Sequence, residues 1–142
     1  MLLKLDDNAV HPYATLPSTN NCVKPKNSQI IRFAGLKIST INQNTKKEEI
    51  NDSDKLLCGE LDVTDCNLDY NIGNNFYNHL MIICGKRKDV DACQGDSGGG
   101  MLDNANVLHG VLVTIGSKVC QSPVHFMDIC SYRTWISKIT NN

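Results

Sequence analysis

No apolar run in this 142-residue chain approaches the roughly 18 residues that a helical membrane span requires, which excludes a transmembrane helix. Lysine and arginine never gather into a patch, and the net charge is -1, so neither a nucleic-acid backbone nor an anionic membrane is an expected partner. The short basic runs Lys46-Lys47 and Lys86-Arg87-Lys88 read as solvated loops. The opening MLLKLDDNAV turns acidic too soon for a secretory signal peptide. Internal repeats are lacking, and nothing in the composition suggests disorder; the length is that of one domain. Seven cysteines are present without a C-x-x-C pair of the kind structural zinc sites use. No metal or cofactor is therefore implied, and disulfides, with the oxidising compartment they require, are the better reading.

The most informative stretch is DACQGDSGGG, from Asp91 to Gly100. Glycines on both sides of Ser97 permit tight turns with positive φ, so the amides of Gly95 and Ser97 can converge on a developing oxyanion. Ser97 is the candidate nucleophile. Asp96 is a short carboxylate beside a turn, suited to fixing the loop by pairing with a cation, and Cys93 offers a covalent anchor. A GDSGG string alone also fits a glycine-rich loop of no chemical consequence, so the rest of the chain must decide.

At these residues the chain resembles the chymotrypsin-like serine proteases, in particular the trypsin subgroup, whose active-site loop reads DSCQGDSGGP or close to it. Ala92 and Gly100 depart from that pattern without removing its chemistry. SYRTWISKI is similar to the closing SYxxWI helix of the family, and Leu2-Leu3-Lys4-Leu5 to the strand that follows its catalytic aspartate. The resemblance implies a mostly antiparallel β fold, the C-terminal six-stranded barrel of a double-barrel protease with a C-terminal helix. Residues 1–27 would be the end of the preceding barrel and the linker between barrels, and residues 28–142 the barrel itself. A barrel that packs on another exposes an apolar face when alone.

Pattern and turn signals lay out the elements. Strands are expected over Ser28 to Ser39, Leu56 to Val63, His79 to Gly85 and Val124 to Cys130. A hairpin joins Gly99 to Leu102 with Val107 to Ile115 around Asp103-Asn104-Ala105-Asn106. Thr64 to Tyr70 reads as a short helix, and Tyr132 to Thr140 as an amphipathic one with Trp135, Ile136 and Ile139 on one side. Ile41 to Asp54 is polar and reads as a loop carrying the glycosylation sequon Asn51-Asp52-Ser53.

The resemblance also implies cysteine pairings: Cys66 with Cys84, Cys93 with Cys120, and Cys22 with Cys130, which leaves Cys58 unpaired because its partner belongs to the first barrel. A further family bridge falls at Ile31 and Asp103, where both halves are missing together. Leu36 replaces the tryptophan of the family's G-W-G strand. Asp91 stands where arginine and lysine cleavers carry the pocket-floor carboxylate, although a surface aspartate is the bland alternative. Gly116 fits the open pocket wall; Val124 stands where trypsin-like enzymes have glycine; Thr114 and Ile115 replace the usual serine and tryptophan.

A serine hydroxyl needs a base. His11, His79, His109 and His125 all fail to match the catalytic histidine, which would lie upstream in the first barrel, with the aspartate just before Met1. The ammonium that holds Asp96 in activated members would also lie outside this chain. The resemblance thus implies a secreted, extracellular serine-type endopeptidase domain acting on protein or peptide substrates, and inactive without its first barrel. The alternative is a non-catalytic homologue that serves as a binding or regulatory module for a protein partner.

Overall fold

A computed structural model describes residues 2–4, 13–42, 44–45, 47–66, 81–88, 90–92, 95–115 and 123–140. Apolar residues alternate along the first half of strand β1 (Ile30–Ile41), where Ile31 and Phe33 are buried and Arg32 is exposed. Successive side chains of a strand point to opposite faces, so this alternation assigns one face to the core. The same rule buries Leu61 and Val63 of β2 (Glu48–Thr64), Ile83 of β3 (Ile82–Lys86) and Met101 of β5 (Gly100–Leu102). Leu112 of β6 (Leu108–Ile115), with Val124 and Phe126 of β7 (Val124–Asp128), completes the inward set.

Strand pairing runs β2-β3-β7-β6-β5-β1, and β1 also pairs with β2, so six strands close on themselves. Every one of these pairings is antiparallel. The result is a closed antiparallel six-stranded barrel filled by its own inward side chains. The short β4 (Val90–Ala92) adds to the far half of β1, pairing Ala92 with Ile38 and Val90 with Thr40.

Several boundaries differ from the sequence expectation. The loop expected from Ile41 to Asp54 shrinks to residues 42–47, because Glu48 to Asp52 pair back onto Ile41 to Lys37 and extend the hairpin into an arm. Its turn is stabilised by Asn42, whose Oδ1 accepts the amides of Asn44 at 2.9 Å and Thr45 at 3.0 Å. Residues 67–70 of the expected short helix, and residues 79 and 80 of the expected third strand, lie outside the described residues. Arg87, expected in a solvated basic loop, is tied to β2 by ion pairs to Glu60 at 2.8 Å and Asp62 at 3.2 Å.

The last strand stops at Asp128 and helix α1 (Ile129–Thr140) starts three residues earlier than expected. The cause is the fully buried Asp128, which accepts the Cys130 amide at 3.0 Å and the Ser131 hydroxyl, satisfying donors at the helix start. Lys24 supplies the compensating cation. Of the three apolar residues expected on one side of this helix, Ile136 is buried whereas Trp135 and Ile139 are exposed; Ile129, seven residues before Ile136, is the other buried one.

The segment before β1 runs along this framework. Thr15 forms an isolated parallel bridge with Val107, Pro17 accepts a hydrogen bond from Arg133 at 2.8 Å, and Cys22 is bonded to Cys130. A second disulfide joins Cys66 to Cys84, and Cys58 is free and exposed. Cys93 and Cys120 lie outside the described residues. An apolar groove of about 470 Å³ opens between α1, β6 and β7, lined by Leu2, Val111, Met127, Tyr132 and Trp135 among others.

Candidate active site

Ser97 is exposed at the tip of a tight turn that begins at Asp96, whose carbonyl accepts the Gly99 amide at 3.0 Å. The third turn position, Gly98, has φ of 94°, the left-handed value that a type II turn demands and that glycine takes without penalty. β6 grips the turn from one side: Leu112 accepts the Gly98 amide and donates to the Gly99 carbonyl, both at 2.8 Å. Ser97 is thereby raised on a turn fastened to β6 by two backbone hydrogen bonds. Among the described residues, nothing hydrogen-bonds the Ser97 hydroxyl, and the amides of Gly95 and Ser97 have no acceptor.

β1 grips the turn from the other side. Its ladder with β2 shifts between Gly35 and Lys37, and the Lys37 amide instead donates to Asp96 Oδ1 at 2.9 Å. Asp96 is 3% exposed, so its charge depends on such hydrogen bonds. A Cβ at Gly35 would lie 2.3 Å from that same carboxylate oxygen, and one at Gly99 would lie 2.4 Å from the Ala34 carbonyl. Two glycines therefore make room for the carboxylate and for the close approach of turn and strand. Neither Gly35 nor the Lys37 amide figures among the candidates read from the sequence. An isolated glycine within a strand pattern marks close backbone approach and was the available signal at Gly35; a backbone donor leaves none.

The candidate pocket residues are placed in part. Asp91 lies in β4 with its backbone opposite Ser39, and Thr114 lies in β6 opposite His125. The β6–β7 register shifts between Leu112 and Thr114, which inserts one extra residue before Thr114. Val124 is fully buried and belongs to the barrel core. Gly116 lies outside the described residues.

Two of the four histidines are described, and both are buried. Burial holds the pKa of His125 below the ordinary histidine value, which keeps this imidazole neutral. His109 places Nε2 3.0 Å from Asp103 Oδ2. Asp103 also accepts the amides of Ala105 at 2.9 Å and Val107 at 3.0 Å, while its carbonyl accepts Arg32 at 2.9 Å. Burial opposes the Asp103 charge, but the hydrogen bonds from His109, Val107 and Ala105 outweigh it and hold the carboxyl below its usual range. Asp103 is thus the centre of a polar network that closes the β5–β6 turn and ties it to β1. Its histidine is therefore committed to the hairpin. His11 and His79 lie outside the described residues.

Comparison with known proteins gives a family model described as Trypsin, matched by residues 1–136. Kallikrein-8 of Rattus norvegicus is 41% identical over 61 residues, covering 41% of this chain and 23% of the relative; Kallikrein-8 of Mus musculus is 37% identical over 65 residues, covering 44% and 24%. Among solved structures, neuropsin, a serine protease expressed in the limbic system of mouse brain, matches 89% of this chain and 53% of its own, with 26% identity and a TM-score of 0.61. The scabies mite inactivated protease paralogue S-I1 matches 99% of this chain and 57% of its own at 23% identity and a TM-score of 0.66. The chain thus spans little more than half the length of these solved structures and aligns to about a quarter of the curated relatives.

Proposed function

Because the chain belongs to the trypsin family, we propose that its barrel is the nucleophile-bearing half of a secreted serine endopeptidase, with Ser97 as the catalytic serine. The observation that carries this reading is the arrangement of the Asp96–Gly99 turn: a buried carboxylate held by the Lys37 amide, an exposed serine beside it, and two amides with no acceptor among the described residues. In this reading Ser97 Oγ attacks a peptide carbonyl, and the amides of Gly95 and Ser97 stabilise the oxyanion. Asp91 at the pocket floor favours arginine or lysine before the scissile bond through a charge-assisted hydrogen bond.

The base comes from a preceding barrel, for which residues 1–27 form the link and whose docking face includes the apolar groove at Leu2 and Trp135. His109 is engaged with Asp103, and no described side chain reaches the Ser97 hydroxyl. This favours silence of the 142-residue chain by itself, and it keeps a second reading open: a non-catalytic homologue whose turn and pocket bind a protein partner. Losing a triad member lowers turnover by about four to six orders of magnitude. A fluorophosphonate probe should therefore leave Ser97 of the 142-residue chain unlabelled, as read by peptide mass spectrometry. Labelling of Ser97 would show that a base is present within these residues and would sink the proposed silence.

A further inference from the structure

We propose that Asn51, in the β2 strand of the β1–β2 arm, carries an N-linked oligosaccharide. The inference rests on the secretory reading above, since the transfer takes place only in that compartment. Asn51-Asp52-Ser53 is the sole Asn-x-Ser/Thr sequence in the chain, and its middle residue is not proline. A sequon of this kind matters only where the folded protein leaves room for a large, solvated group.

The arm provides that room. Asn51 pairs with Ile38 through the β1 edge of β2. Among the described residues, no strand pairs with the opposite edge of β2 between Glu48 and Leu61. On either side of the sequon Glu49, Ile50, Asp54, Lys55 and Leu56 are exposed. The register jumps from Gly35 opposite Leu57 to Lys37 opposite Asp52, so residues 53–56, which begin with the last residue of the sequon, have no partner on β1. The two disulfides require the oxidising conditions found where such transfer occurs.

There is also a physical reason for a glycan at this place. Ile50 and Leu56 are 58% and 66% exposed on an unpaired strand edge, a combination that templates pairing with another chain. A hydrated oligosaccharide rooted between them blocks that approach by bulk. The donor is a lipid-diphosphate-linked oligosaccharide. A bond forms between the Asn51 amide nitrogen and the anomeric carbon, and the anomeric carbon–oxygen bond to the diphosphate breaks. The lipid diphosphate leaves with the electron pair, the amide nitrogen gives up one proton that ends on the departing diphosphate or water, and nothing is oxidised or reduced.

The test expresses the 142-residue chain behind a cleavable secretory leader in a eukaryotic cell and collects it from both the medium and the microsomal fraction. Digestion with peptide N-glycosidase should convert Asn51 to aspartate in most molecules and increase gel mobility by the size of one glycan. N51Q and S53A should run at the digested position without treatment, and the glycosylated chain should contain the Cys22–Cys130 and Cys66–Cys84 disulfides. Unmodified Asn51 in a chain with both disulfides formed overturns the proposal alone. Cysteines that stay reduced in the delivered chain overturn the secretory reading with it, and a glycosylated chain that lacks disulfides present in N51Q shows that the fold does not tolerate the group.

Discussion

A single methyl group at Gly35 is enough to compete with Asp96 for the same space. The Cβ of an alanine there would sit 2.3 Å from the carboxylate oxygen that accepts the Lys37 amide, inside any tolerable contact. G35A should therefore destabilise the protein by about 3 kcal/mol, combining overpacking with a weakened hydrogen bond to a charged group. Urea unfolding reads this as a lower midpoint at unchanged slope, and an unaltered midpoint would contradict the cradle described for Asp96. The contrast between Ser97 and Lys37 explains how much of the site was legible in the sequence. Ser97, Gly95 and Asp96 stand in one unbroken string whose glycines announce the turn. Lys37 is far away in the chain and contributes an amide, which every residue but proline has. Asp91 could be named from its offset to Ser97 and Thr114 from the family's strand pattern, but neither says where a side chain points.

Helix α1 shows how an element boundary is decided by hydrogen bonds that the apolar pattern does not record. Val124 to Cys130 reads as one strand from its apolar pattern, yet Asp128 turns the chain by capping the Cys130 amide at the helix start. D128A removes the cap, the Ser131 contact and the partner of Lys24 in one step, and should cost about 2 to 4 kcal/mol. Thermal melting followed at the helical circular-dichroism band measures it. K24A should cost less, because Lys24 is half exposed and water replaces much of what it loses. The strands that face the core were legible: Ile31 with Phe33, and Leu61 with Val63, alternate as a half-buried sheet requires. The arm from Glu48 to Asp52 was not, since its polar sequence carries no apolar alternation, and pairing with β1 makes it a strand. β4 is three residues long, too short for any period to declare itself.

At the scale of the molecule, two covalent ties hold segments of very different separation. Cys22 and Cys130 are 108 residues apart, whereas Cys66 and Cys84 are 18 apart. Closing the longer loop removes more freedom from the unfolded chain, so replacing Cys22 and Cys130 together with alanine should cost about 5 kcal/mol, against about 3 kcal/mol for Cys66 and Cys84. Thermal denaturation of the two double variants gives the order, and a greater loss for the shorter loop would contradict it. The long tie also fastens the segment before β1 to the start of α1, beside the Lys24 to Asp128 pair. During synthesis this places the two partners at opposite ends of the timetable. Cys22 leaves the ribosome early, and its partner Cys130 follows only after Cys58, Cys66 and Cys84 have been made. The long bond can therefore close only once nearly the whole barrel has been made, so it fastens both ends of the fold as the last stitch of synthesis.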